Sequence, residues 1–269
     1  MELEAYVLER RAWVDQYLRE RLDCFRDPLV GELLEAMGYA LQGGKRIRAI
    51  LVMEGAKLGG EKPENVLPAA AAVECFHAYS LVHDDLPSMD NSMERRGQPT
   101  VHARFGEAMA ILVGDSLIPL GYEFLTVEQR KYSAPERILQ VTALLSETLG
   151  WRGLTGGQLL DILGTVNEAS RLEIPRRKTA ALLETSLAAG AILAGMKEDP
   201  LAQLRYFGTQ LGLAYQLVDD LLDEENADDR ESKQQVETQT AAALDALQPF
   251  GKRAVRLREL TQHLAVRRL

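Results

Sequence analysis

Two cysteines, Cys24 and Cys75, are all the thiol chemistry the chain has, each beside apolar residues and in no metal-like spacing. That excludes a disulfide scaffold and a zinc module, and it fits a reducing compartment. Positive charge is also scarce: 31 Lys and Arg stand against 40 Asp and Glu, for a net charge of −9. The sign is wrong for a protein that tracks nucleic acid, so any anionic ligand has to be met by a local basic site. No uninterrupted apolar run approaches the ~18 residues of a membrane span, and the opening MELEAYVLERRAW is acidic, without the basic-then-apolar order of a signal segment. The expectation is a cytoplasmic location without stable membrane insertion. Missing too are a Gly/Ser/Pro-rich linker, an internal repeat and the two-residue alternation of strands, so the 269 residues read as a single domain. With 46% apolar and 26% charged residues, that domain is globular in composition.

What is present is helical periodicity almost everywhere. Leu3, Val7, Leu8, Val14, Leu18 and Leu22 form a broad stripe over roughly residues 2 to 26, which Asp27-Pro28 interrupts. Helices are predicted from Pro28 to about Ala40, from after Gly43-Gly44 through Leu58, and from Pro63 or Pro68 through the segment AAAAVECFHAYSLVHDD. Further ones are predicted at about 101–130, 135–150, 152–164, 169–196, 200–225, 235–248 and 251–267. The most polar stretch, residues 223 to 240, reads as a surface loop or frayed helix end.

Two aspartate clusters stand out. In HDDLPSMD (83–90) two acids close an apolar helix, where the helix dipole disfavours negative charge unless a cation answers it. In QLVDDLLD (216–223), Gln216, Asp219 and Asp223 share one face of an apolar helix. Ionised acids against a core need a counter-charge, and two such clusters suit hard, oxygen-loving cations, most naturally magnesium shared with a phosphorylated ligand. Cations for the ligand's remaining charge occur in compact groups: Lys45, Arg46 and Arg48 after Gly43-Gly44, then Arg95-Arg96, then Arg176-Arg177-Lys178-Thr179. His77, His83 and His102 read as core histidines on their apolar surroundings, and Asp115 in LVGDSL reads as a buried capping or packing acid.

The strings GGKRIR (43–48), ECFHAYSLVHDDLPSMD (74–90), RRGQPTVHARFG (95–106), LVGDSL (112–117), GGQLLD (156–161), RRKTAALLETSLAAGAILAG (176–195) and GLAYQLVDDLLD (212–223) follow one another along the chain. In these blocks and their order the sequence resembles the trans-isoprenyl diphosphate synthases, specifically the bacterial short-chain farnesyl diphosphate synthases. The resemblance implies an all-α, isoprenoid-synthase-type helical bundle around a central cavity, usually a homodimer. It implies magnesium-dependent condensation of isopentenyl diphosphate with an allylic diphosphate, dimethylallyl or geranyl, to give farnesyl diphosphate. Asp84, Asp85 and Asp90 with Asp219 and Asp223 would coordinate magnesium on the allylic diphosphate, with Asp220 behind them. Arg95, Lys178 and Lys233 would clamp that diphosphate; Lys45, Arg48, His77 and Arg96 would hold the diphosphate of isopentenyl diphosphate. Thr179 and Gln216 would turn their oxygens toward the developing allylic cation. Tyr79, followed by Ser80, lies five residues before Asp84, where a bulky ring would floor the pocket and stop elongation at farnesyl length.

Alternatives are a geranyl or geranylgeranyl diphosphate synthase, or a non-catalytic regulatory subunit of a prenyl synthase. A terpene cyclase shares the aspartate-magnesium ionisation, but the GGKRIR block favours a second diphosphate and hence condensation. Two departures from the family pattern bear on these readings. Asn91-Ser92-Met93-Glu94 stands where further acids are usual, and after Lys233 the chain runs directly into QQVETQTAAALDAL, without a flexible segment that usually helps close the cavity.

Overall fold

Apolar residues at three- and four-residue spacing make helix along nearly the whole chain. The computed structural model describes residues 2–25, 27–164, 173–223 and 230–265. Helix α1 (Leu3–Cys24) buries Tyr6, Val14 and Leu18 on one face. Asp27 then caps a short 3-10 turn, Pro28–Val30, that leads into α2 (Gly31–Ala40). Next come α3 (Ile47–Leu58) and α4 (Leu67–Asp84), the latter with Pro68 in its first turn, where a missing N–H leaves no bond unmade. The region predicted as one helix over 101–130 is broken by Gly106, whose φ of 89° leaves the right-handed region. Two helices result, α5 (Val101–Phe105) and α6 (Glu107–Glu123), and a π-turn (Phe124–Glu128) extends the second.

Further along lie α7 (Pro135–Leu149), α8 (Leu154–Leu163), a π-turn over Arg176–Ala180, α9 (Ala181–Leu193), α10 (Glu198–Asp223), α11 (Arg230–Ala246) and α12 (Val255–Ala265). The start of the helix predicted over 169–196 lies outside the described residues. Residues 230–240, predicted as loop or frayed end, are instead the opening turns of α11. Val236, Ala243, Ala246 and the following Leu247 are buried at helical spacing, and this stripe carries an otherwise polar helix. One hairpin departs from the all-α pattern: β1 (Glu94–Arg95) pairs with β2 (Gln98–Pro99). Arg96 and Gly97 between them have φ of 56° and 75°, the backbone of a type I′ turn.

The chain forms two compact units, Glu4–Ile50 with Asn65–Tyr132, and Met1–Leu3 with Leu51–Glu64 and Ser133–Leu269. In the first, α4 packs along α6 with Phe76, Leu117, Phe124 and Leu125 buried between neighbouring elements. Glu107–Lys131 is long and apolar enough to cross a membrane by length and composition alone, but Val113, Leu117, Leu120 and Phe124 along it are buried within this unit, as in a core helix. In the second unit, α9 is almost wholly buried, against α7 and α10 and, at Gly55 and Val52, against the Leu51–Leu58 part of α3. Small residues allow that closeness: a Cβ on Gly190 would lie 1.8 Å from the Val52 carbonyl oxygen.

Candidate active site

In the first unit the basic turn between α2 and α3 divides its cations. Gly43 and Gly44 have φ of 73° and 83°, and Arg46 has φ of 55°. Lys45 is exposed, whereas Arg46 is buried and pairs with Asp15 Oδ1 at 2.8 Å and Glu74 Oε2 at 3.1 Å. Arg48 Nη1 lies 3.3 Å from His77 Nε2. A guanidinium can only donate, so Nε2 accepts and the imidazole is neutral, its proton on Nδ1. Burial, then Arg48 and the nearby Arg96, Arg95 and Arg46, holds the His77 pKa well below its ordinary value. Arg96 reaches the same turn: a Cβ on Gly44 would lie 2.7 Å from its Nη1. A cavity of about 250 Å³ opens here, lined by Gly43, Gly44, Ala78, Asp85, Arg95 and Arg96 among others.

The first aspartate cluster follows from how α4 stops. After Asp84 the chain folds back on itself, with Asp90 N–H donating to Asp84 O at 2.9 Å, Asn91 N–H to Leu86 O at 3.0 Å and Ser92 N–H to Asp85 O at 3.2 Å. Asn91 has φ of 52°, a region its short amide side chain tolerates well, which accounts physically for Asn there. Asp84 is partly exposed and Asp90 exposed, while Asp85 is 3% exposed and engaged with Arg95. Arg95 Nε lies 2.9 Å from each Asp85 oxygen and Nη2 lies 2.6 Å from Oδ1. Burial alone would lower the Arg95 pKa, but the hydrogen bond and charge of Asp85, with Asp84 and Asp90 behind it, raise it instead. In this structure Asp85 and Arg95, predicted as metal ligand and diphosphate clamp, neutralise each other.

Tyr79 is buried, and its ring meets His83 edge-on at 6.1 Å. His83 in turn lies on α6, its Nε2 3.2 Å from Ile111 O, in space that a side chain at Gly114 would fill. Ser80 bonds back to His77 O at 2.8 Å within the helix. His102 is buried with Nδ1 3.0 Å from Thr100 Oγ1. Asp115 corrects the sequence reading: it is exposed, because Ala110, Val113, Gly114 and Leu117 take the buried face of α6.

In the second unit Lys178 and Thr179 sit in the π-turn before α9, a local widening common at functional sites. Lys178 Nζ donates to Asp161 Oδ2 at 2.6 Å, and α8 approaches so closely that a Cβ on Gly157 would lie 2.8 Å from the backbone nitrogen of Lys178. Arg177 Nε and Arg176 Nη1 bond Glu173 at 2.8 and 3.1 Å and hold its carboxyl below the usual range. Ala180 rests on α10 at Gly212, one turn before Gln216. Gln216 and Asp219 are both partly exposed on α10. Asp223 is the last residue of that helix; its side chain and that of Asp220 lie outside the described residues. Lys233 is exposed in the first turns of α11.

Among the described residues, no three His, Cys, Asp or Glu side chains converge as a ready-made metal cage. Magnesium does not require one, since it keeps several waters and is held through one or two carboxylates plus substrate phosphates. Asp84 and Asp90, partly or fully exposed beside the carbonyl end of α4, fit that donor set.

A polyprenyl synthetase family model matches residues 30–262. The chain is 43% identical over 223 residues to a chloroplastic geranylgeranyl pyrophosphate synthase of Capsicum annuum, covering 81% of this chain and 59% of that one. It is 38% identical over 237 residues to the farnesyl diphosphate synthase of Geobacillus stearothermophilus, covering 87% and 79%. The crystal structure of an FPP/GFPP synthase from Zymomonas mobilis superposes with a TM-score of 0.91 at 33% identity, covering 98% of this chain and 99% of that one. The chain belongs to the polyprenyl synthetase family. Its all-α fold is that of the isoprenyl synthases. For a polyprenyl synthetase, sequence reasoning passed over two acidic contacts: Glu74 on Arg46, and Asp161 on Lys178. A signal existed for the first, because a lone acid in the apolar run AAAAVECFHA has to meet a cation. Asp161 carried no comparable signal.

Proposed function

We propose that this polyprenyl synthetase is a magnesium-dependent prenyltransferase that condenses isopentenyl diphosphate with an allylic diphosphate, stopping at farnesyl diphosphate. The observation that carries the reading is the arrangement in the first unit, where Arg48, His77 and Arg96 gather around the Gly43-Gly44 turn beside the aspartates that end α4. Lys45, Arg48, His77 and Arg96 bind the diphosphate of isopentenyl diphosphate, neutral His77 giving its Nδ1 proton to a hydrogen bond. Asp84 and Asp90, with Asp85, would hold magnesium on the allylic diphosphate, a role that the family resemblance gives to Asp219 and Asp223 as well. When bound, the metal supplies positive charge to the departing pyrophosphate. Arg95, Lys178 and Lys233 clamp the same group, and for Arg95 and Lys178 this means exchanging the carboxylates of Asp85 and Asp161 for phosphate oxygens. Thr179 and Gln216 face the developing allylic cation with oxygen dipoles, which favour positive charge without trapping it covalently.

Product length rests on Tyr79. Relatives named as farnesyl and as geranylgeranyl synthases match at similar identity, so the family alone leaves the length open. The Tyr79 ring, buried against His83, supports a closed floor. Product analysis with labelled isopentenyl diphosphate, dimethylallyl or geranyl diphosphate, magnesium and a chelator control tests both parts. Metal-dependent farnesyl product is the expected result, shifting to longer products in Tyr79→Ala. Unchanged length in that variant overturns the floor, and absence of condensation by a folded chain overturns the activity.

A further inference from the structure

The turn Gly43–Arg48 offers three cations in four residues, and the structure uses them in two different ways. Arg46 faces inward. It is 6% exposed, and its guanidinium donates to Asp15 Oδ1 at 2.8 Å, to Glu74 Oε2 at 3.1 Å and to the carbonyl of Leu41. Three donors of a planar fork are thereby committed to α1, α4 and the end of α2, and its charge is answered by two carboxylates. Buried, and with its charge met by two carboxylates, Arg46 is poorly placed to receive an external anion.

What Arg46 does instead is set backbone. Its φ of 55° is one an L-residue seldom adopts, and it persists because the side chain is anchored at three points. Glu74 completes the device. While Oε2 takes Arg46, Oε1 accepts the N–H of Ala49 at 3.0 Å, so a side chain from α4 caps the first turn of α3. That same turn carries Arg48, which donates to His77, three residues beyond Glu74 on the same face of α4. Arg46, just before α3, and Arg48, in its first turn, are thus fastened to positions i and i+3 on one face of α4. Lys45, between the glycines and the anchored arginine, is left exposed.

We propose that Arg46, together with Glu74 and Asp15, is a positioning residue for diphosphate recognition: it locks the Gly43–Arg48 turn so that Lys45 and Arg48 are aimed at the diphosphate of isopentenyl diphosphate. The proposal rests on the function proposed above. It separates the two substrates, because the lock acts only on the groups that meet isopentenyl diphosphate.

The test uses the full chain, with Arg46→Met, Glu74→Gln and the double variant R46M/E74Q, which removes both charges together so that neither is left buried alone. Steady-state kinetics are measured for each substrate, alongside melting temperature and calorimetric binding of inorganic pyrophosphate without metal. The expected result is a rise of about tenfold or more in KM for isopentenyl diphosphate, since small misplacements of binding groups have large effects. Pyrophosphate binding weakens in parallel, while KM for geranyl diphosphate stays within about twofold. If both KM values rise together, or if melting temperature falls with neither KM changed, Arg46 is merely structural and the proposal is overturned. If the single variants do not fold, the double variant is read by the same criteria. A wild-type chain that binds pyrophosphate yet condenses nothing defeats the proposed function. Loss or retention of pyrophosphate binding in the variants then still decides the role of Arg46.

Discussion

Removing Arg95 isolates the Asp85 carboxylate, and the size of the resulting loss can be worked from the structure. Exposed ion pairs contribute about 0–1 kcal/mol, whereas breaking a fully buried one costs about 3–5 kcal/mol. Here the side chain of Asp85 is 5% exposed and that of Arg95 is 34% exposed, so the pair lies between these limits. Arg95→Met and Asp85→Asn are each expected to lose about 2 kcal/mol, the first by stranding a buried carboxylate, the second by removing the negative charge and one of the two acceptor oxygens of a charge-assisted fork. The double variant is expected to lose less than the sum, with a coupling of about 2 kcal/mol. Urea denaturation followed by far-UV circular dichroism measures all three, and in thermal scans each single loss corresponds to about 4–8 °C. Magnesium with pyrophosphate should shrink the coupling if Arg95 changes partner when an anion arrives. A coupling below about 0.5 kcal/mol in the free protein refutes the reasoning, because additivity would mean that the short contacts carry no energy.

Other perturbations are equally defined. Gly114→Ala would place a Cβ 2.0 Å from His83 Nε2, displacing the ring from Ile111 O and from Tyr79, with an expected loss of about 1–3 kcal/mol by denaturation; unchanged stability rules out the close contact. His77, with its pKa held below the ordinary 6.5, contributes stability above that value that is lost as pH falls, since the unfolded chain then takes up a proton the folded chain refuses. His77→Gln should accordingly flatten the acid-side fall in melting temperature relative to wild type, and parallel curves would contradict this. Asp84→Ala or Asp219→Ala should lower turnover by about 10²- to 10³-fold without changing the circular dichroism spectrum, and wild-type turnover from either removes it from the proposed site.

Much of this was legible in the sequence because helices announce themselves by period, and α1, α4, α7 and α10 were found near their predicted bounds. The hairpin was not legible: its strands are two residues each, and what makes it is the left-handed backbone of Arg96 and Gly97, not an alternating pattern. Asp115 misled because an acid within LVGDSL looks buried when hydropathy is averaged, although its position on α6 falls between the buried residues. In GGKRIR the motif marks three cations alike. Which of them turns inward depends on Glu74 and Asp15, 28 and 31 residues away, and no local pattern contains that information. Val236 and the alanines after it could be read as a helix stripe only by setting aside the charge density around them.

The charges around His77 make a physical argument of their own. Gathering arginines at one place gives a fold no stability unless they are answered, and here Arg46 is met by Asp15 and Glu74 and Arg95 by Asp85. Arg48 leans on a different kind of partner, an imidazole that accepts a hydrogen bond and returns no negative charge. The same arginines, after burial, suppress protonation of that imidazole, so the corner keeps its positive potential without adding a further cation to it. A carboxylate in place of His77 would stabilise the fold more and would cancel that potential. A neutral acceptor holds the Arg48 guanidinium in place without itself adding negative charge at the turn, an arrangement that favours affinity for an anion over stability of the empty protein.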